Sequence, residues 1–236
     1  MTYGSALGWP SPVLVQISQT GLPFTLDASQ ISWMVSLVYV TNLLSPLPAG
    51  ALMDALGRKR ALILLTLPAL ISWPIALLAT DVRWLYLARL LVGIQGGAST
   101  TIAPTYISET ACAKHRGAMN TMGMFFCFVG IFYSYIIGHL VSYASLCLLN
   151  GLIPLTFILL FSLLLPDTPY WYLMKNNPQL AAESLAWLNS TTTPHIQNEL
   201  NLIQNGVQQQ ISNKNSFEEL LRSATNRRAL IILSQI

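Results

Sequence analysis

From Gly117 to Pro166 the chain carries no Lys, Arg, Asp or Glu, and the stretch between Asp27 and Asp54 is equally free of charge. Few solvents tolerate such runs. A water-exposed surface needs a mixed population of charged side chains. Charged residues make up 9% of this sequence and apolar ones 53%, against about 25% charged in an ordinary globular domain. Lipid needs no charge on the surface it wets. Backbone groups in lipid must then be satisfied internally, and helices do this without a partner strand. The sequence therefore predicts an all-α membrane protein.

A spanning helix needs roughly 20 largely apolar residues. Five stretches qualify, at about 30–53, 61–80, 84–108, 118–138 and 145–165. A sixth, at about 2–17, is apolar but short and holds Gly4, Gly8, Pro10 and Pro12. It reads as the outer part of a clipped first span. Residues 1–165 are thus expected to form a six-span unit. Residues 166–228 are polar with helical pieces and read as a cytoplasmic linker. A further apolar run at 229–236 reads as the start of a seventh span. Pro46, Pro48, Pro68, Pro74 and Pro104 fall within the apolar runs, where neighbouring helices can satisfy the carbonyls they free.

Basic residues mark the cytoplasmic side. The segments after the second, fourth and sixth spans hold Arg58, Lys59, Arg60, Lys114, Arg116, Lys175, Lys214, Arg222, Arg227 and Arg228, ten of the 12 basic residues. The N-terminus and central loop are therefore expected in the cytoplasm. Within the linker, Asn177-Pro178 reads as a helix start. Leu180, Ala181, Ser184, Leu185 and Leu188 share one face of that helix. Ser216-Phe-Glu-Glu219 reads as a capping box, and Thr191–Pro194 as a linker.

Charges sit at the disfavoured helix ends. Asp54 closes the second span, where the helix dipole disfavours an acid, and Arg58 and Lys59 open the third, where it disfavours a base. Glu109 and Arg116 repeat the pattern at the next inner turn. Each mismatch costs only ~0.3–1 kcal/mol. The repetition points to groups that answer to partners beyond their own helices. Arg89, about one turn into the fourth span, is expected to face the bundle or to snorkel. Gly93-Ile-Gln-Gly-Gly97 is a small-xxx-small face that permits close helix approach.

Enzyme chemistry is disfavoured. His115, His139 and His195 are scattered, and no nucleophile–base spacing occurs. Cys112, Cys127 and Cys147 have no metal-ligand spacing. No cofactor is implied, and a net charge of +3 gives no argument for nucleic acid.

Four motifs carry a resemblance. Gly50-Ala-Leu-Met-Asp54-Ala-Leu-Gly57-Arg58-Lys59 resembles the G-x-x-x-D-x-x-G-R-[RK] motif of the major facilitator superfamily. Arg89-Leu-Leu-Val-Gly93 resembles the start of the fourth span in sugar porters. Pro104-Thr-Tyr106-Ile-Ser-Glu109, followed by Arg116-Gly117, resembles P-x-Y-x-x-E…R-G. Pro166-Asp167-Thr-Pro169 resembles P-E-[ST]-P-R. The segment Ala6–Pro12 and the Phe217–Leu221 helix resemble the insect-type facilitated trehalose transporters.

The resemblance implies the N-terminal six-helix half of a major facilitator fold, with cytoplasmic helices and the start of a seventh span. It implies facilitated transport of a hexose or trehalose-like sugar by alternating access in the plasma membrane. The partners implied are the sugar, the lipid bilayer and a C-terminal six-helix half. Gly50, Asp54, Gly57, Arg58, Lys59, Glu109, Arg116, Gly117, Pro166 and Asp167 would belong to a cytoplasmic gate, and Arg89 would have a structural or gating role. Met124, Cys127 and Ile131 would line the substrate cavity. The sequence also departs from the family. Gly4 stands where proton-coupled members carry Asp, Met124 where many carry a sugar-binding Gln, and Tyr170 where the fourth motif has Arg. A non-transporting truncated membrane protein, or pseudo-transporter, is the alternative reading.

Overall fold

The computed structural model describes residues 1–20, 26–112, 114–189 and 197–212. The described residues are helical and contain no strand. The expected capping box at Ser216–Glu219, the helix at Phe217–Leu221, the linker at Thr191–Pro194 and the run at 229–236 lie outside them. The chain divides into Met1–Trp171 and a second unit from Tyr172 onward.

The first unit contains α1 (Thr2–Gly8), α2 (Pro10–Thr20), α3 (Ala28–Leu44), α4 (Pro46–Leu56), α5 (Arg58–Leu77), α6 (Val82–Thr110), α7 (Arg116–Leu140) and α8 (Tyr143–Leu164), and α9 (Pro169–Met174) crosses its boundary. Among the described residues, α5, α7 and α8 are each long and apolar enough to cross a membrane. The α3–α4 pair meets the same test jointly, with a bend of 49° at its break. The apolar run at 30–53 is thus two helices. Pro46 opens α4 and has no N–H to give the Asn42 carbonyl one turn back, so the ladder breaks there. Pro10 separates α1 from α2 in the same way. By contrast, Pro68, Pro74 and Pro104 stay inside continuous helices.

Polar side chains start the helices. The Asp81 carboxylate accepts from Arg83 N at 2.8 Å at the head of α6, and Gln30 Oε1 accepts from Asp27 N at 3.0 Å before α3. These bonds use donors that a helix start leaves unpaired.

Glycines set the packing distances. A methyl on Gly93 would lie 2.3 Å from the Val38 carbonyl oxygen, and one on Gly97 2.2 Å from that of Asn42. The Gly93–Gly97 face of α6 therefore rests directly on the α3 backbone, and Thr41 Oγ1 donates to Leu90 O across the seam at 2.9 Å. The α1–α7 seam is built alike. A methyl on Gly4 would lie 1.9 Å from Cys127 O, and one on Gly130 2.4 Å from Met1 O. Any side chain at Gly4 pushes α1 off α7.

Two apolar clusters fill the interior. One gathers Trp9, Met34, Val38, Trp73, Leu85, Val92 and Leu146. The other holds Ala49, Ala61, Leu62, Ala98, Ile102 and Tyr106. Large apolar side chains such as Leu159, Leu160, Leu163 and Leu164 on α8 remain exposed, which suits a surface wetted by lipid.

In the second unit α10 (Pro178–Asn189) packs against α11 (Gln197–Ser212). Asn177 Oδ1 accepts from Leu180 N at 3.3 Å, which caps α10. Ala181, Ser184 and Leu185 are buried as their shared face predicts, whereas Leu180, in the first turn, is exposed.

Candidate functional site

Gly57 joins α4 to α5 with φ of +100°, a conformation that favours glycine. A methyl there would lie 2.3 Å from Asp167 Oδ2. Glycine thus permits both the turn and the approach of a carboxylate from a distant loop. The Asp167 Oδ1 accepts from Lys59 N at 3.2 Å, in the first turn of α5, and from Thr168 N at 3.0 Å. Helix dipoles favour an anion at this end. The acid that α5 lacks in its own first turn is supplied by Asp167.

Arg58 is the hub. It is 3% exposed. Its Nη2 lies 2.9 Å and its Nε 3.0 Å from Glu109 Oε1, and its Nη1 lies 3.3 Å from Asp54 Oδ1. Glu109 Oε2 accepts from Thr168 Oγ1 at 2.5 Å. The Arg58 guanidinium also lies 5.9 Å from the centre of the Tyr170 ring, within cation–π range. Burial pushes the Tyr170 phenol above its usual range, the Glu109 carboxylate acts in the same sense, and Arg58 opposes them. The phenol therefore stays neutral and presents its face to the cation.

Two further bonds tie this end together. Tyr106 donates to Pro166 O at 2.9 Å, and Trp171 Nε1 donates to Asp54 O at 3.4 Å. Lys59 reaches away, its Nζ donating to Ser162 O at 2.7 Å. Asp54, Gly57, Arg58, Lys59, Glu109, Pro166 and Asp167 thus converge. Arg116 does not join them: it is exposed, and its Nε donates to Ala111 O at 3.0 Å. A methyl on Gly50 or Gly117 would meet nothing within 4 Å, so packing within this unit does not demand glycine at either. Sequence reasoning passed over Thr168. Its signal was its place beside the acid in Pro166-Asp-Thr-Pro169, where a hydroxyl can bond a neighbouring carboxylate.

Arg89 occupies the opposite part of α6. It is 3% exposed. Its Nη1 donates to Ala6 O at 2.7 Å and its Nε to Met34 O at 3.1 Å, while the guanidinium lies 5.6 Å from the Trp9 ring centre. Ala6 is the residue four before Pro10, so its carbonyl receives no helical N–H. Arg89 supplies the missing donor and clamps α1, α3 and α6 together.

The three expected cavity residues lie on α7. Met124 is 63% exposed. Cys127 and Ile131 are half-buried, and their backbones form the seam against Gly4 and Gly8. Among the described residues no group of three or more His, Cys, Asp or Glu is placed to hold a metal ion.

Residues 10–236 match the family model described as "Sugar (and other) transporter". The chain is 29% identical to the facilitated trehalose transporter Tret1 of Bombyx mori, over 80% of this chain and 36% of that protein. It is 28% identical to the Tret1 of Drosophila mojavensis, over 80% of this chain and 22% of that one. It therefore spans about a fifth to a third of the length of these relatives. The xylose transporter XylE of E. coli, in a partially occluded inward-open conformation, superposes with a TM-score of 0.73 at 16% identity, over 91% of this chain and 58% of that structure. XylE bound to 6-bromo-6-deoxy-D-glucose gives 0.69 at 18% identity, over 93% and 54%. The fold is that of the major facilitator superfamily, and the chain belongs to its sugar transporter family.

Proposed function

We propose that this chain is the N-terminal half of a facilitative sugar carrier, working by alternating access with a second six-helix half. The observation that carries the reading is the Arg58–Glu109–Asp54 cluster with Asp167 at the head of α5. The cluster links α4, α5, α6 and the loop after α8 into one rigid end. A rigid end is what a rocking half needs, because a rocking carrier moves its halves largely as bodies about a central site.

In this reading Gly50, Asp54, Gly57, Arg58, Lys59, Glu109, Arg116, Gly117, Pro166 and Asp167 form the cytoplasmic gate. The open space beside Gly50 and Gly117 suits close approach of the second half. Exposed Arg116 remains available to that half. Arg89 holds the spans in register. Met124, Cys127 and Ile131 line the cavity. The N-terminus and the central segment lie in the cytoplasm, and the carrier resides in the plasma membrane. A hexose or trehalose-like sugar is the substrate, supported by the likeness to facilitated trehalose transporters.

Facilitated diffusion is supported by Gly4. No carboxylate is available at that position, and a methyl there would already collide with the α7 backbone. Vesicles holding the carrier, this chain together with its second half, are expected to take up labelled trehalose or glucose to equilibrium. The initial rate should be the same with and without an imposed pH gradient. Accumulation driven by a proton gradient would contradict the facilitated mechanism.

A further inference from the structure

Tyr3 and Asn42 meet between α1 and α3, where the Asn42 Nδ2 donates to the Tyr3 hydroxyl. The Tyr3 ring packs against Gly96, where a methyl would come 2.3 Å from its Cε2. Gly96 is the middle residue of α6, which runs from Val82 to Thr110. The pair therefore sits near mid-depth of the longest helix. Both residues are only half-buried. Facing lipid, an amide and a phenol at this depth would be costly. Facing a water-filled cavity, they are not. Carriers of this architecture place their substrates at the midplane between the halves.

The hydrogen-bond inventory is incomplete in a useful way. An Asn carboxamide has two N–H donors and a carbonyl acceptor, and a phenol has one donor and accepting lone pairs. The mutual bond uses one Asn42 donor and one Tyr3 lone pair. No other side-chain hydrogen bond of either residue occurs among the described residues. One amide N–H, the amide oxygen and the phenol hydrogen remain unspent on the half-open side. Tyr39 is 57% exposed and stands one turn before Asn42 on the same helix face. Cys127, expected in the cavity, packs its backbone on Gly4, the residue after Tyr3. These groups share one wall.

We propose that Asn42 and Tyr3 form a polyol-binding subsite, in which the Asn42 carboxamide grips a vicinal diol of the sugar. One diol hydroxyl donates to Oδ1, its neighbour accepts from Nδ2, and the Tyr3 hydroxyl donates to the same substrate edge. The inference rests on the sugar-carrier reading and goes beyond it. Met124, exposed on α7, offers a thioether that cannot donate. The Asn42 carboxamide on α3 both donates and accepts.

The test is uptake by the complete carrier with Asn42→Ala and, separately, Tyr3→Phe, against a series of monodeoxy analogues of the transported sugar. Tyr3→Phe keeps the ring on Gly96 and removes only the hydroxyl. Asn42→Ala is expected to raise KM about tenfold and Tyr3→Phe about threefold, with kcat changing by less than about twofold. Two monodeoxy analogues, each lacking one hydroxyl of the gripped diol, should show a smaller KM penalty from Asn42→Ala than the parent sugar does, because each has already lost one of the two bonds the amide makes. Unchanged KM in both variants overturns the subsite, as does an equal penalty from Asn42→Ala on every analogue. Absence of uptake by the unsubstituted carrier overturns the sugar-carrier reading and the subsite with it.

Discussion

Replacing Arg58 with alanine is expected to destabilise the unit by about 3–5 kcal/mol, the range for breaking a buried ion pair from one side. The cost comes mostly from Glu109. Its side chain is only 10% exposed, and Arg58 meets it through two nitrogens on one oxygen. Without Arg58 the carboxylate keeps, among the described residues, the Thr168 hydroxyl. Asp54 contributes little, because its side chain is 48% exposed, and half-exposed pairs stabilise by about 0–1 kcal/mol. Two comparisons separate these terms. Asp54→Asn should shift the melting midpoint of the purified protein far less than Arg58→Ala. Adding Glu109→Gln to Arg58→Ala should recover part of the loss, because it removes the stranded charge. If Arg58→Ala costs no more than Asp54→Asn, the buried pair is not what holds this end together.

Arg89→Ala is the second large effect, expected at about 2–5 kcal/mol for the cavity left by a large buried side chain, with about 1–3 kcal/mol more for the Ala6 carbonyl left without a donor. Arg89→Lys should fall between, since one ammonium does not reproduce a planar fork that reaches two carbonyls and stacks on Trp9. The decisive partner is Pro10. Pro10→Ala restores an N–H four residues after Ala6, and the junction residue Trp9 is already helical, with φ of −55° and ψ of −40°. Arg89→Ala should therefore cost less in a Pro10→Ala background, as the melting midpoints of the single and double variants will show. Strict additivity would mean that Arg89 does not serve the carbonyl freed by Pro10.

The helices were legible because lipid imposes a coarse rule: a long run without charge must be helical. Gly93 and Gly97 were legible for a related reason, since small residues at that spacing have few other uses in a bundle. Which prolines break a helix was not legible. Pro10 and Pro46 end helices while Pro68, Pro74 and Pro104 do not, and the partner of a freed carbonyl can come from far along the chain. At Ala6 the neighbour is an arginine 83 positions away.

The Arg58 cluster shows the same limit. Misplaced charges at Asp54, Arg58 and Glu109 announced that partners exist, but the partners come from across the chain. Asp167 is brought to the head of α5 over 108 positions, and Thr168 reaches Glu109 over 59. Arg116 carries the same motif signal as Glu109 yet stays exposed beside Ala111. Membership of one motif does not place two residues in one contact.

As one half of the proposed two-part carrier, this chain is not expected to complete a transport cycle by itself. Uptake of labelled trehalose and glucose into vesicles tests this, with the chain reconstituted alone and together with its complementary six-helix half. The expected result is no saturable uptake by the chain alone and saturable, counterflow-competent uptake by the pair. Saturable uptake by the chain alone would contradict it.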